Sequence, residues 1–195
     1  EDVTVWSLAR GGDESFFRPV DPAVTVRAVP FPDVEGEGVG ELVTRNPGLA
    51  RGYWKLPDVT ARKFRAGWLH TGDLMRRDAD GYYYFIGRQD DMINVAGENV
   101  YPKEVEDVLL RHPNLRDACV VAAPHAVKGE VPVAFVVERE PGGTTEADVK
   151  TFFLRHGAAY AHPRRVTFLD ALPLGGTGKL DRAGLKARAR EEETR

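Results

Sequence analysis

The sequence predicts an α+β protein in two parts, a β-rich part over residues 1–89 and a part of alternating helices and strands over residues 90–195. Three observations carry that reading. Before Gly87 the apolar residues alternate with polar ones or cluster in short aromatic runs, and glycine breaks them often, as at Gly36, Gly38 and Gly40. After Asp90, amphipathic helical patterns alternate with continuous apolar runs rich in valine. Between the two, Gly87-Arg88-Gln89-Asp90-Asp91 is a charged turn with little apolar surface to bind one unit to the other. Units joined that way are expected to move relative to each other.

Taken in order, Val3, Val5 and Trp6 make half a strand pattern directly behind Glu1. No methionine and no cationic, apolar leader stands before them, so the chain reads as a piece of a longer polypeptide. Val24, Val26 and Ala28 alternate with polar neighbours, and Glu41-Leu42-Val43-Thr44 returns as their partner. Residues 58–64 are helical in character, with Asp58 as the expected N-cap. Trp68-Leu69-His70 leads to Thr71-Gly72-Asp73, then an acidic Asp80-Gly81 hairpin, and residues 82–86 form a strand. Tyr83 and Tyr84 in it are packing residues.

Beyond Asp91 comes a short apolar strand, then a loop hinged at Gly97. Pro102 fits the first turn of a helix, where Glu104 and Glu106 suit the positive end of the dipole. Val105, Val108 and Leu109 form its apolar stripe, and His112-Pro113 ends it. Residues 118–123, 131–137 and 166–169 read as strands. Thr145-Glu146-Ala147-Asp148 caps a helix whose Val149, Phe152 and Phe153 face inward. Asp181 opens a basic helix through about Arg190, and the last five residues are expected to fray.

Composition excludes several classes of function. At 195 residues the chain can form one large or two small cores, and 42% apolar with 29% charged residues is ordinary for a soluble globular protein. A net charge of −3 supplies no long-range attraction for nucleic acid or an anionic membrane. No apolar run reaches the length of a membrane span, and a cytoplasmic setting is expected. Cys119 is the single cysteine, so no internal disulfide forms; within Ala118-Cys119-Val120-Val121 it reads as a buried thiol. His70, His112, His125, His156 and His162 show no metal-ligand spacing.

Several positions carry chemistry, each with a plainer alternative. Asp73, held on the tight Thr71-Gly72-Asp73 turn, can accept hydrogen bonds from two vicinal hydroxyls, though such a turn is also common on its own. Arg88 presents a planar fork suited to a ribose or a phosphate, or to a surface ion pair. Asp90 alone is a loop residue. Gly97 lets the backbone lie against a narrow ligand, or supplies the positive φ of a turn; Glu98 follows it. Lys179 is a cation on a segment loosened by Gly175, Gly176 and Gly178, or a solvated lysine. Tyr160, His162, Arg164 and Arg165 form a basic, aromatic cluster that also reads as a solvated face.

The ordered set Thr71-Gly72-Asp73, Gly87-Arg88-Gln89-Asp90-Asp91 and Gly176-Thr177-Gly178-Lys179 resembles the carboxy-terminal part of the adenylate-forming superfamily. That superfamily comprises acyl- and aryl-CoA synthetases, luciferases and peptide-synthetase adenylation domains, and the resemblance runs from about Val24 to about Leu185. Ala96-Gly97-Glu98-Asn99-Val100 is similar to the CoA synthetases, where peptide-synthetase domains carry a basic pattern. Leu174-Gly175 departs from the Arg or Lys beside Thr or Asn of many relatives.

The resemblance implies a β-barrel-like subdomain followed by a small α+β lid. It implies that Asp73 and Arg88 bind the nucleotide, that Asp90 is the hinge, and that Lys179 is catalytic. Gly97 and Glu98 would face CoA, with Tyr160, His162 and Arg164 near its adenine and phosphate. The substrates implied are a carboxylic acid, ATP brought with Mg2+, and CoA. The triphosphate loop and the acid pocket have no match here, since Gly11-Gly12-Asp13-Glu14-Ser15 is acidic, so a large amino-terminal domain is the expected partner and the chain alone is expected to be inactive. Two other readings stand beside this one: a free-standing, non-catalytic lid that docks on a partner, and an adenylating enzyme that loads a carrier-protein thiol.

Overall fold

A computed structural model describes residues 16–17, 25–30, 39–79, 83–176 and 178–193. The half-strand at Val3–Trp6, the acidic segment 11–15, the turn at Gly36 and Gly38, the Asp80-Gly81 hairpin, Tyr82, Thr177 and the last two residues lie outside them. The chain divides into two compact units between Asp90 and Asp91.

The first unit is an antiparallel sheet of β1 (Phe16–Phe17), β2 (Thr25–Pro30), β3 (Val39–Arg45), β4 (Phe64–Arg65), β5 (Trp68–Arg77) and β6 (Tyr83–Arg88), with helix α1 (Pro57–Lys63) inserted before β4. Its strands run in the order β1-β6-β5-β3-β2, and β4 pairs with β5. Leu42, Met75 and Tyr83 form a small core with Phe85 against it. The expected N-cap is corrected: α1 begins at Pro57, not after Asp58, and Leu56 at the N-cap makes no side-chain cap. Proline at the first helical position moves the start back, and Asp58 instead places its charge in the first turn. Strand β6 also runs two residues beyond the expected Ile86, because Gly87 and Arg88 pair with Leu74 and Asp73.

The second unit contains β7 (Ile93–Val95), β8 (Glu98–Val100), α2 (Pro102–Leu109), β9 (Leu115–His125), β10 (Gly129–Glu138), α3 (Glu146–His156), β11 (Val166–Phe168) and α4 (Arg182–Glu193). Strand β10 is its centre, antiparallel to β9 along its length, parallel to β11, and touching β7 at Gly129. Two apolar clusters lie on opposite faces. Val120, Ala122, Ala134 and Val136 pack with α2 and α3 residues such as Val105, Leu109, Val149 and Phe153. Cys119, Val121, Val133 and Phe135 pack with Leu185 and Ala189 of α4. A sheet covered on both faces explains why residues 118–123 and 131–137 are continuously apolar rather than alternating.

The loop at Gly97 is a hairpin turn between β7 and β8, with Ala96 and Gly97 both at positive φ, 54° and 99°, as one of the two readings of this glycine expected. Three details differ from expectation. Phe152 is half-buried, stacked on His156 at 4.2 Å, while Val149 and Phe153 fill the core. Glu106 is 5% exposed, not a solvated charge at the helix start. Helix α4 continues through Glu193, and Glu192 there pairs with Arg165 and Arg188. The Thr145–Asp148 capping box forms as read, with Asp148 N–H donating to Thr145 Oγ1 at 3.2 Å. No helix among the described residues is long and apolar enough to cross a membrane.

Burial pushes the Cys119 thiol up to about 12, against the opposing pull of Arg182 and helped by Glu106 and Asp91. An unfolded thiol ionises near pH 8.5, so above that pH the unfolded state carries fewer protons and stability falls as pH rises. The parent is therefore expected to lose about 1.4 kcal/mol per pH unit from this group between pH 9 and 12. Chemical denaturation of the parent and Cys119→Ala from pH 7.5 to 10.5 checks this: the gap between them should narrow with pH. A constant gap would refute it.

Candidate functional site

Each unit holds part of the candidate site. In the first, Thr71-Gly72-Asp73 lies within β5, opposite the end of β6. The pairing sets Asp73 across from Arg88, and Arg88 Nη1 donates to Asp73 Oδ1 at 2.7 Å. The two side chains are 29% and 44% exposed, so this ion pair contributes about 1 kcal/mol at most. It orders both groups while leaving the carboxylate's second oxygen for other donors.

The turn beneath them is held from inside. Thr71 Oγ1 donates to the Leu42 carbonyl at 2.8 Å and accepts from Asp73 N–H at 3.0 Å. Gly72 sits at φ 80°, a conformational demand that favours glycine, whereas the nearest atom to a Cβ there would be the mobile end of Lys63 at 2.8 Å. Its N–H donates to Glu41 Oε1 at 3.0 Å. Glu41 is only 8% exposed, and its other oxygen lies 2.8 Å from His70 Nδ1. Glu41 is thus a support for the Asp73 turn that sequence reasoning missed. The available signal was a carboxylate inside the strand Gly40-Glu41-Leu42-Val43, where solvation alone would not place one. Asp90 is exposed, in the short 3-10 turn Gln89–Asp91, and is the last residue of this unit. With Glu41, Arg62, Lys63, Arg65 and His70 it lines an open cleft of about 660 Å3.

In the second unit Lys179 is carried on a small hairpin. Leu174 and Leu180 form an antiparallel bridge, Gly175 N–H donates to the Lys179 carbonyl at 2.7 Å, and Asp181 N–H donates to the Pro173 carbonyl at 2.9 Å. The Lys179 side chain is exposed and makes no ion pair or hydrogen bond among the described residues. Asp181 then caps α4, accepting from Gly184 N–H at 2.9 Å.

Gly97 and Glu98 are both exposed at the β7–β8 turn. Asn94 Oδ1 accepts from Gly97 N–H at 3.0 Å, and a Cβ on Gly97 would meet nothing within 4 Å. Its positive φ is thus the demand this unit itself places on the glycine. Tyr160 is exposed on the turn Ala159–Ala161, and His162 and Arg164 are half-buried just beyond it. Burial, then the charges of Arg164, Lys150 and Lys128, hold the His162 ring below its ordinary range. His162 Nδ1 and Arg164 Nε are buried without a hydrogen-bond partner among the described residues. Arg165 leaves this cluster: its guanidinium donates to the Ala189 carbonyl and pairs with Glu192, pinning α4.

Lys128 links the two candidate segments. Its carbonyl accepts from Ala96 N–H at 3.2 Å, and its charge bears on His162. The charges of Arg164, Lys150 and Lys128 all bear on His162, a basic environment suited to a phosphate-bearing ligand, while Lys150 Nζ also pairs with Glu146 Oε1 at 2.7 Å. Sequence reasoning missed Lys128 because nothing local in Val127-Lys128-Gly129 marks it apart from a turn. Among the described residues no group of three or more His, Cys, Asp or Glu is placed to hold a metal ion.

The family model described as "AMP-binding enzyme C-terminal domain" matches residues 104–179. The medium/long-chain-fatty-acid–CoA ligase FadD8 of Mycobacterium tuberculosis is 44% identical over 164 residues, covering 80% of this chain and 28% of that protein. The 2-succinylbenzoate–CoA ligase of Geobacillus kaustophilus is 42% identical over 147 residues, covering 75% of this chain and 30% of its own length. The chain thus spans less than a third of these relatives. Among solved structures, ATP-bound MatB from Rhodopseudomonas palustris matches with a TM-score of 0.80 at 30% identity, over 88% of this chain and 35% of that one.

Proposed function

We propose that this chain, a carboxy-terminal region of the adenylate-forming enzyme family, works in an ATP-dependent acyl- or aryl-CoA synthetase. The overall reaction converts a carboxylate, ATP and CoA to acyl-CoA, AMP and pyrophosphate through an acyl-adenylate. One observation carries the reading: an exposed ammonium, Lys179, without a partner among the described residues and held on a glycine-rich hairpin.

In the first step the carboxylate attacks the α-phosphorus of ATP, and negative charge accumulates where two anions meet. Lys179 supplies a point charge there, stabilising the transition state. Asp73 accepts the ribose hydroxyls, with Arg88 orienting it and able to turn its free donors to the nucleotide. Mg2+ is brought with ATP and would screen its phosphates. In the second step the Asp91–Arg195 unit rotates about Asp90, withdraws Lys179 and presents the Gly97–Glu98 turn to the pantetheine arm. Lys128, Lys150, His162 and Arg164 then face the phosphates of CoA. The CoA thiol attacks the acyl carbonyl and AMP leaves. On this reading the triphosphate loop and acid pocket would come from a large domain beyond these 195 residues, and the chain alone is expected to be inactive. Fatty-acid metabolism is the setting this reading favours, because a relative at 44% identity is named for medium- and long-chain fatty acids.

The test is acid-dependent exchange of pyrophosphate into ATP by the full-length protein, across saturated and aryl acids, followed by CoA-dependent release of AMP. Exchange with at least one acid and turnover with CoA are expected. No exchange with any acid would refute the reading; exchange without CoA turnover would move the acceptor to another thiol.

A further inference from the structure

Glu41 and Glu106 are the buried carboxylates among the described residues. Glu41 supports the Asp73 turn, whereas Glu106 touches none of the proposed substrate-binding groups. A carboxylate 5% exposed is costly to keep unless it is charge-paired and hydrogen-bonded. Burial pushes its carboxyl above the ordinary range, and Arg182 and the Val120 N–H pull it back. Val120 N–H donates to Glu106 Oε1 at 2.8 Å. Arg182 Nη2 lies 2.9 Å from Oε1 and 3.0 Å from Oε2, while Arg182 Nη1 donates to the Val120 carbonyl at 3.1 Å. One guanidinium therefore ties the start of α4 to both α2 and β9.

The placement of these two residues in the chain gives the tie its meaning. Arg182 opens α4 directly after the hairpin that carries Lys179, and Asp181 closes that hairpin's base onto Pro173. Glu106 stands on α2, which follows β8 with only Tyr101 between, so the Gly97 turn is continuous with the same helix. The hairpin has three glycines and exposed residues at 174, 176, 178 and 179, so it has little stiffness of its own. Its base decides where the ammonium goes.

An apolar pair of similar volume could fill the space between α2 and α4, but it would leave the Val120 N–H and carbonyl without these partners. What the ion pair adds is direction, because a planar guanidinium engages a carboxylate and a carbonyl together in few orientations. We infer that Glu106–Arg182 is a strut that fixes the Lys179 hairpin relative to the Ala96-Gly97 turn. Both residues are positioning residues for adenylate formation, and the inference rests on the role given above to Lys179. Lys179 and Gly97 then change places by movement of the whole unit, not by bending of the hairpin.

The experiment uses the full-length protein with Arg182→Lys and with the double variant Glu106→Leu/Arg182→Met, which substitutes apolar volume for the pair. Melting temperature, pyrophosphate exchange and thiolysis of supplied acyl-adenylate are measured for each. The expected result is cooperative unfolding at a lowered melting temperature, because the Val120 backbone or the Glu106 carboxylate loses partners, with unchanged KM for ATP, adenylate formation lowered about 10- to 100-fold in kcat, and thiolysis retained. Parent-like exchange in either folded variant overturns the strut. Should the double variant not fold, Arg182→Lys decides alone, since it keeps the charge and loses the fork. Lys179→Ala is measured alongside: if it abolishes exchange while the strut variants do not, only the strut fails. If Lys179→Ala leaves exchange intact, the role of the lysine fails and the strut with it.

Discussion

Lys179→Ala in the full-length protein is expected to lower acyl-adenylate formation about 100- to 1,000-fold in kcat, the loss typical of removing a preorganised charge from a developing anion. The effect should fall on kcat and kcat/KM together, because the ammonium meets its partner only as charge develops. Thiolysis of supplied acyl-adenylate should continue, since in the proposed mechanism the lysine is withdrawn for that step. Folding should be unchanged, because the side chain is exposed and makes no hydrogen bond or ion pair among the described residues. Stopped-flow or pyrophosphate exchange for the first step, and acyl-CoA formation from synthetic acyl-adenylate for the second, separate the two. Equal loss in both would remove Lys179 from the role assigned to it.

Asp90→Pro should produce the opposite pattern. Asp90 lies in the 3-10 turn Gln89–Asp91 at the division between the two units, and its side chain is exposed. In the proposed mechanism a residue there contributes backbone rotation rather than packing. Proline fixes φ near −65° and restricts the preceding residue, so rotation about this point is blocked. Adenylate formation should survive within a few-fold, while acyl-CoA formation from acyl-adenylate falls about 100-fold, as expected when a reacting group is held even slightly out of place. An unimpaired thioester step in a folded Asp90→Pro protein would show that the motion pivots elsewhere. The paired variants are informative together: each removes one half-reaction and spares the other.

Several parts of this molecule were legible in the sequence because they depend on local rules. The capping box at Thr145, the proline start of α2 and the valine-rich strands β9 and β10 follow from spacing and residue type alone. The candidate residues Asp73, Arg88, Asp90, Gly97 and Lys179 came from motif order, which needs no tertiary structure. Where reading failed, the cause was a neighbour distant in sequence. Phe152 lies on the expected helix face, yet His112 and His156 take its ring. Glu106 looks like a dipole-matching acid until Arg182, 76 residues later, is beside it.

What the sequence by itself determined is therefore the α+β class, the order of elements and the identity of the candidate groups. Residue spacing sets these through hydrophobic period, turn stereochemistry and helix capping, all of which act over a few residues. Only the tertiary structure decided which residues stand together: Asp73 against Arg88, the Asp73 turn on Glu41, the start of α4 on Glu106 through Arg182, and the charge of Lys128 bearing on His162. Strand register and helix docking bring these residues within hydrogen-bond or charge reach, and both are settled by burial of apolar surface across the whole unit. A carboxylate's environment, and hence its use, is a property of that packing and is absent from any local stretch of chain.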